Sequence, residues 1–496
     1  MESDSADALT IDSSTNSFDI SHINNIFPVV STHTRLPYFI SRPVSIDSFQ
    51  FSGNHKKYLE YFCDDFARVI CPLTPTPDLN PAKDILLYYA RDNNYLLCAV
   101  LSCGALQLHR KSHDPRDEAN YCNYLSTCIQ LLSSVLADEA KIKEKIEPMI
   151  LTILLLTSYT AMSNIQKWRP HLKAVKELLA AYVPPADKSS LDSAYVMAFC
   201  RAWYTSIEVI AGLTAPHGGT AESEDEIDSI IFDIPNLKFY LEGMRISRKD
   251  DFNILYGYTN RLAMTLQKTV KYMRRVRAYR EELKHNPYAK PDIDLEEYGK
   301  MFQEIWQNEK FYVISKDGII PRDHFMHPDN NSEPPPGFQP LSSEAIEKIV
   351  LKTGEEVCIS WYDISHQSFV WAAILVMLSM MAQLPKKHYM VQQAVHKVLD
   401  LMVFLHSKNR ITGYVLMLLQ CSMYITGLNC INTEDRRLVL KFFDNLNVMG
   451  NVSASVNTEK LKRKWKRYDE NRNNIPFDKE FDDFDEEELP EDIISY

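Results

Sequence analysis

Residues 413–469 read GYVLMLLQCSMYITGLNCINTEDRRLVLKFFDNLNVMGNVSASVNTEKLKRKWKRYD, and this stretch decides the fold class because it contains the signals of three helices in a row. Its first part, 414–427, is apolar on nearly every side, which predicts a helix buried by its neighbours. Thr433 is a suitable N-cap for the next helix, and Glu434 and Asp435 place negative charge at its positive end. The stretch predicts a fold of helix packed on helix.

The second helix of this stretch carries an apolar face. Leu438, Phe442 and Leu446 follow one another at four-residue spacing, so they form a stripe that must face a core. The chain then breaks at 450–451 before a last predicted helix over 458–468. None of these residues forms a catalytic arrangement, so composition and spacing alone indicate a large helical protein.

The composition of the whole chain agrees with helix and argues against some functions. Only 14 of the 496 residues are glycine while 17 are methionine, a usage that favours helices over tight turns and strands. A formal net charge of −12 argues against non-specific nucleic-acid binding by the whole body, since phosphate contacts need a basic face. The apolar runs 149–162 and 369–384 are shorter than the roughly 18–20 residues of a membrane span, so both are predicted as core helices. The acidic start, 1–10, lacks the apolar core of a secretory signal.

Three segments are predicted along the chain. Residues 1–50 are rich in Ser, Asp and Asn and then irregular, which predicts a disordered or extended arm. Residues 51–470 carry helical periodicity and form an all-α body, interrupted by a proline-rich loop near 316–343. Residues 471–496 are predicted to be a disordered acidic tail with interleaved phenylalanines.

Within the body, several segments receive a specific prediction. Helices are expected at 343–351 and 355–384, and no strand is expected anywhere. Residues 215–228, which contain two adjacent glycines and five acids, are predicted as a solvated surface loop. Residues 252–284 are predicted as a long helix whose basic C-terminal half is an exposed face, with its arginines at 274, 275, 277 and 280.

The two ends of the body resemble the regulatory domain of fungal zinc-cluster transcription factors. The C-terminal pattern is E-D-R opening a helix with paired phenylalanines, then G-N, then W-x-x-x-D, formed here by Glu434, Asp435, Arg436, Phe442, Phe443, Gly450, Asn451, Trp465 and Asp469. The N-terminal pattern is Y-F, N-P and L-L-x-A-x-L-x-x-G-A, formed here by Tyr61, Phe62, Asn80, Pro81, Leu96, Leu97, Ala99, Leu101, Gly104 and Ala105. A middle element, W-x-x-H-L, is similar at Trp168, His171 and Leu172, and the family's later L-L is kept at Leu178 and Leu179. The family's W-P-L-F is replaced here by residues 415–418, VLML.

The resemblance implies an all-α regulatory domain, a large irregular helical array in a nuclear regulator of RNA polymerase II genes. It further implies no enzyme activity, a response to a metabolite or partner, and a homodimer or heterodimer with zinc-cluster factors. DNA would be reached only indirectly, no membrane would be involved, and the acidic tail would contact a coactivator. The family includes regulators of lysine, arginine and aminobutyrate metabolism. Two alternatives stay open: a helical chromatin or kinetochore scaffold without transcriptional activity, and a helical enzyme using Asp482 and Asp483.

The zinc cluster that reads DNA in this family needs C-x2-C-x6-C twice, because close thiolate pairs must bridge two metals. The sequence has ten cysteines and no C-x2-C. Its nearest pairs are predicted to be core thiols of a reducing compartment, at Cys98 and Cys103, Cys122 and Cys128, and Cys421 and Cys430. We therefore expect no zinc cluster here, as a consequence of an absent exon, of action through a full-length partner, or of decay.

Other candidate groups have simpler explanations. His324 and His327, with nearby acids, could bind a metal but are better explained as part of the solvated proline-rich loop. The basic run 462–467 is either a nuclear-import or phosphate-contacting patch, or a set of cations at a helix C-terminus. No phosphate-binding, nucleophile-elbow or zinc-protease motif is present. The sequence predicts no catalytic residue, metal site or cofactor, and it expects a small apolar or amino-acid-like effector between helices without assigning its pocket.

Overall fold

The computed structural model describes residues 36–51, 55–74, 79–162, 167–182, 190–231, 236–248, 251–290, 294–308, 345–471 and 494–495. These residues contain nineteen α-helices and four short strands. In chain order they are α1 Tyr38–Ser41, α2 His55–Tyr61, α3 Ala67–Ile70, α4 Pro81–Ala90, α5 Asn94–Ser112, α6 Pro115–Leu136, α7 Glu139–Glu144, α8 Ile146–Ala161, α9 Trp168–Ala181, α10 Ser190–Thr214, α11 Glu224–Ile231, α12 Leu237–Gly243, β1 Phe252–Asn253, β2 Tyr258–Thr259, α13 Asn260–His285, α14 Leu295–Trp306, β3 Ile346–Val350, β4 Glu356–Ser360, α15 Trp361–Val376, α16 Tyr389–Leu401, α17 Gln420–Asn429, α18 Thr433–Val448 and α19 Ser453–Asn471.

Two residues of the N-terminal pattern have clear structural roles. The Asn80 side chain caps α4 by accepting the N–H of Ala82 at 3.0 Å, and its amide donates to the Ala67 carbonyl oxygen at 2.8 Å, which joins α4 to α3. Gly104 lies where α5 meets α2, and a Cβ there would lie 1.9 Å from the carbonyl oxygen of Tyr58. The two helices therefore touch through their backbones, which only glycine permits.

The centre of the body is built from helices that are apolar all round. Every residue of α15 is buried, and α8 packs against α5, α9 and α10. The predicted core helices at 149–162 and 369–384 lie in α8 and in α15 with the π-helical turn that follows it. By length and composition alone, Leu191–Thr214 and Trp361–Met381 could cross a membrane, but 89% and 94% of their apolar windows are buried in the protein, as in core helices.

Two antiparallel hairpins correct the expectation that the chain has no strands. The helix predicted at 343–351 is wrong over β3, which pairs with β4 so that Ile346 lies opposite Ser360 and Val350 opposite Glu356. The turn between them places Gly354 at φ +90°, a conformation that favours glycine, and β-branched residues on both strands favour pairing. The hairpin of β1 and β2 likewise replaces the start of the helix predicted at 252–284. Because both hairpins are small, the prediction of an irregular helical array is confirmed.

The three C-terminal helices are present, with different boundaries. Residues Tyr414–Leu419 form a 3-10 helix, and the α-helix starts only after them. The cap of α18 is Asn432 and not Thr433, because its side-chain oxygen accepts the N–H of Asp435 at 2.8 Å. The last helix begins at Ser453, five residues before its predicted start.

Several predicted segments fall wholly or partly outside the described residues. Of the predicted N-terminal arm, 36–50 is described, and Phe39 in it is fully buried. The proline-rich loop at 316–343 lies outside, as does most of the acidic tail. Of that tail, Ile494 and Ser495 are described and buried, and the Ser495 N–H donates to Oγ1 of Thr214 at 3.4 Å. The domain boundaries stay predictions.

Candidate functional site

The C-terminal residues that carry the family resemblance meet in one cluster, formed by Arg436, Trp465 and Asp469. Arg436, in the first turn of α18, donates to the two carboxylate oxygens of Asp469 at 2.6 and 3.0 Å. Its guanidinium lies 5.3 Å from the ring centroid of Trp465, whose indole N–H donates to the Gly427 carbonyl oxygen at 2.7 Å. This C-terminal cluster fixes how α17, α18 and α19 pack, so its role is structural.

A cavity of about 790 Å³ lies between α9, α10, α13 and the loop that follows α10. We term it the basic cavity, since three carboxylates line it together with six cationic side chains. Its carboxylates are Glu208, Glu222 and Glu281, and its cations are Arg169, Lys173, Arg274, Arg277, Arg280 and Lys284.

The loop of residues 215–222 forms one wall of the basic cavity by closing around the buried carboxylate of Glu208. Glu208 accepts the N–H of Thr220 at 2.8 Å, its hydroxyl at 2.9 Å and the N–H of Ala221 at 2.9 Å. Gly218 has a φ of +73°, and a Cβ on Gly219 would lie 1.9 Å from Oε1 of Glu208. Both glycines are therefore required by the local geometry. The prediction of a solvated loop is wrong here, because Thr220 is buried.

Arginines from two helices hold the same loop through its carbonyl oxygens. Arg169 of α9 donates to Gly218 at 2.8 Å and to Gly219 at 2.6 Å. Arg274 of α13 donates to the Ala221 carbonyl oxygen at 2.9 Å. These contacts orient the two guanidinium groups along the cavity wall.

The arginines of α13 are not one exposed face, as the sequence predicted. Arg275 makes ion pairs at 2.6 Å with Glu224 and with Glu297, away from the cavity lining. Arg280, which lines the cavity, donates to the Met380 carbonyl oxygen at 3.0 Å.

Arg277 differs from the other arginines of the cavity in its bonding partners and in its pKa. It donates to the carbonyl oxygens of Gly212 at 2.7 Å and Ala215 at 3.3 Å, which ties α13 to the last turn of α10. Burial, and after it the charges of Arg280 and Arg169, lower the pKa of Arg277 to about 10. The site therefore gathers several guanidinium groups in a partly desolvated space.

The basic cavity was not predicted from the sequence, for an identifiable reason. Both of its main parts, the arginines of α13 and the paired glycines at 218–219, are predicted from the sequence to be exposed to solvent. The signal that could have joined them is the Gly-Gly pair directly after an apolar helix that contains an acid, Glu208, since a buried carboxylate needs nearby backbone donors.

The remaining sequence candidates do not form a second site. All ten cysteines are free thiols and seven are buried, but Cys122 is exposed and corrects the prediction that it is a core thiol. Within the described residues, no group of three or more His, Cys, Asp or Glu could hold a metal ion. Burial lowers the pKa of His171. The pair of His324 and His327 lies outside the described residues. In the basic run 462–467, Lys462 bonds Glu459 at 3.0 Å within α19, so the choice between a patch and helix-end cations stays open.

The profile of the fungal specific transcription factor domain matches residues 57–487. Over 477 residues, 91% of this chain, the sequence is 28% identical to the lysine biosynthesis regulatory protein of Saccharomyces cerevisiae, of which 58% is covered. The chain thus spans less than two thirds of that relative's length. No solved structure matches it.

Proposed function

The chain belongs to the family of fungal-specific transcription factor domains, and we propose that it regulates transcription of RNA polymerase II genes from the nucleus, with a helical body that responds to a small molecule in the basic cavity. The proposed response to a small molecule is supported by the cavity itself, a concave site of about 790 Å³ inside the regulatory body. A volume of this order suits a metabolite.

The similar protein of Saccharomyces cerevisiae is described as a regulator of lysine biosynthesis, which supports a metabolic target for this chain as well. We propose that DNA is reached through zinc-cluster factors, in a homodimer or heterodimer. The family match and the relative's description favour a regulator over the chromatin or kinetochore scaffold and over an enzyme.

The acidic segment after residue 471 is the proposed contact for a coactivator, because acidic residues with spaced aromatics are typical of segments that fold on a partner. Its end is held by the body, where the Ser495 hydroxyl bonds the Asn457 side chain at 3.2 Å. That anchor lies on the last turn of α10 and on α19.

Chromatin profiling of the tagged full chain tests the regulatory role. We expect enrichment at a defined set of promoters, changed transcripts of the same genes when the chain is deleted, and loss of enrichment when a zinc-cluster partner is removed. Absence of promoter enrichment together with unchanged transcripts would overturn the proposal. Promoter enrichment that persists in a strain without zinc-cluster partners would overturn the indirect contact with DNA.

The response to a small molecule is tested by measuring target transcripts in cells that carry variants of the chain. Arg274→Gln with Arg280→Gln removes two cations of the basic cavity, and Arg116→Gln with Lys300→Gln removes two exposed cations that do not line it. We expect only the cavity pair to blunt the change in target transcripts when the nutrient supply is changed. An equal response in both double variants and the unaltered chain would contradict it.

A further inference from the structure

Residues 494–495, which follow the acidic segment, lie inside the helical body. Ile494 is fully buried and belongs to the hydrophobic core, and Ser495 is buried beside it. The preceding residues, 472–493, carry ten acidic side chains, a composition typical of segments that stay in water. The chain therefore places a core residue soon after a strongly acidic stretch, and the body must offer a specific place for it.

That place is a slot between the last turn of α10 and the second turn of α19, which we term the α10–α19 slot. The Ser495 N–H donates to Oγ1 of Thr214 at 3.4 Å, and the Ser495 hydroxyl donates to Oδ1 of Asn457 at 3.2 Å. The two helices are brought together by α17, which packs against both. The slot is therefore a product of the tertiary fold and joins residues far apart in the sequence.

The contacts in the slot are weak enough to be reversible. Both hydrogen bonds are longer than usual, since N–H···O bonds span about 2.7–3.2 Å and O–H···O bonds about 2.5–3.0 Å. Within the described residues, the buried Nδ2 donor of Asn457 has no hydrogen-bond partner, a cost that water would remove once the slot opens. One buried isoleucine and two long bonds must offset the entropy of ordering the segment. We therefore expect residues 494–495 to exchange between a docked and a released state.

The slot adjoins the wall of the basic cavity. Thr214 is the last residue of α10 and directly precedes the 215–222 loop. Its hydroxyl donates to the Ile210 carbonyl oxygen at 2.8 Å, so the group that Ser495 contacts is itself part of the last helical turn. The next carbonyl oxygen, of Ala215, accepts from Arg277 at 3.3 Å. A change in the slot therefore reaches the cavity wall within one residue of backbone.

Both described ends of the acidic segment are held by the same helix. The chain leaves α19 at Asn471, whereas residues 494–495 contact Asn457 near the start of that helix. These two points of α19 are roughly 21 Å apart along the axis, at 1.5 Å per residue. Docking thus attaches the acidic segment to the body at two points, and release leaves it attached at one.

We propose that the α10–α19 slot is a peptide-binding site whose occupant is residues 494–495 of the same chain, and that reversible docking there ties the far end of the acidic segment to the wall of the basic cavity. The slot takes an apolar side chain followed by a hydroxyl, because the first is buried in the core and the second bonds to Asn457. The inference rests on the proposed function for its regulatory meaning, since it links the proposed coactivator contact to the proposed effector site.

Fluorescence anisotropy with a labelled peptide of residues 489–496, LPEDIISY, tests the slot. Ile494→Asp in the full chain is expected to release its own segment, because a charge cannot replace a buried isoleucine. We expect saturable binding of the peptide to this variant and at least tenfold weaker binding to the unaltered chain, whose own residues compete. A peptide with the same Ile494→Asp change should not bind. Leu295→Asp, at an exposed residue of α14, is the matched control and should bind the peptide as weakly as the unaltered chain does.

Hydrogen exchange followed by mass spectrometry tests the link to the cavity wall. We expect faster amide exchange at residues 208–222 and 453–461 in Ile494→Asp than in Leu295→Asp or the unaltered chain. If Ile494→Asp lowers the melting temperature, Ser495→Ala, which removes one hydrogen bond, serves in its place, and the peptide should bind it at least threefold more tightly than the unaltered chain. Equal peptide affinity for the slot variant and the unaltered chain, equal affinity of the two peptides, or unchanged exchange at 208–222 would each refute the inference.

The outcome is separable from that of the proposed function. A chain that docks residues 494–495 but occupies no promoter keeps this inference and loses the regulatory role. A chain that regulates transcripts but shows no competition between its own segment and the peptide loses this inference alone.

Discussion

Replacing Gly219 by alanine tests whether the 215–222 loop is built around the carboxylate of Glu208. A Cβ at position 219 would lie 1.9 Å from Oε1 and 2.3 Å from Cδ of Glu208. Because ordinary contact begins at 3.4 Å, the loop and the carboxylate must separate by about 1.5 Å. The end of the Glu208 side chain cannot move aside, because it is buried and accepts hydrogen bonds from the same loop.

The cost follows from the bonds that such a movement breaks. Glu208 accepts from Thr220 at 2.8 and 2.9 Å and from Ala221 at 2.9 Å, and lengthening by this amount ends a hydrogen bond. A hydrogen bond to a charged group contributes about 1.5–3 kcal/mol, so losing one or two predicts destabilisation by about 3 kcal/mol.

Urea unfolding followed by circular dichroism measures the change. Gly299→Ala is the matched control, because nothing lies within 4 Å of a Cβ there and alanine favours the helix of α14 by about 1 kcal/mol. Gly218→Ala should fall between them, since its φ of +73° is strained for alanine but its nearest neighbour is a flexible side-chain end. Equal midpoints for Gly219→Ala and Gly299→Ala would refute this account of the loop.

Three further predictions concern other parts of the body. Arg436→Gln should lower the free energy of unfolding by about 1–2 kcal/mol, because it removes the half-exposed ion pair with Asp469 and the contact of the guanidinium with the Trp465 ring. Arg436→Lys should lower the free energy of unfolding by less. A urea midpoint of Arg436→Gln equal to that of the unaltered chain would contradict the structural role of the C-terminal cluster. In the folded chain, Cys122 should react with a thiol reagent while Cys71, whose pKa burial raises to about 12, stays unmodified by mass spectrometry; equal labelling of both would show that the packing is wrong. Because burial lowers the pKa of His171 below 6.5, the unfolded chain binds the proton more readily, so stability should fall as pH drops through 6.5 toward the lowered value. His171→Asn should make the decrease in urea midpoint from about pH 7.5 to about pH 5.5 shallower, and an unchanged slope would count against burial of the imidazole.

Helices with a strong 3.6-residue pattern could be predicted closely from the sequence. Apolar residues recur along nearly the whole of 191–213, a pattern that predicts a helix there, and the structure has α10 at Ser190–Thr214. The order of the C-terminal helices also followed from caps and breaks, although Asn432 competed successfully with Thr433 for the cap. Asparagine and threonine are both good caps, so local propensity alone could not decide.

The hairpin of β3 and β4 shows where periodicity fails. The segment 346–350, IEKIV, is too short to separate a strand from a helical turn, so the sequence predicts a helix over 343–351. Gly354 and the β-branched residues on both sides of it were the available signals. Pairing is decided between strands, so the partner strand, Glu356–Ser360, had to be recognised at the same time.

The basic cavity could be predicted only in part, for a reason that lies in how charge is read from a sequence. Arg274, Arg277 and Arg280 are spaced so that they share a side of α13, which the sequence does reveal. Whether that side meets water depends on a loop some 55 residues earlier, whose position is set by the buried carboxylate of Glu208. Net charge averages over the whole surface, so a value of −12 gives no sign of a cavity whose lining holds more cations than carboxylates. Since the field inside a cavity depends on the side chains that line it, the arrangement around Arg277 and not the total charge sets the local potential there.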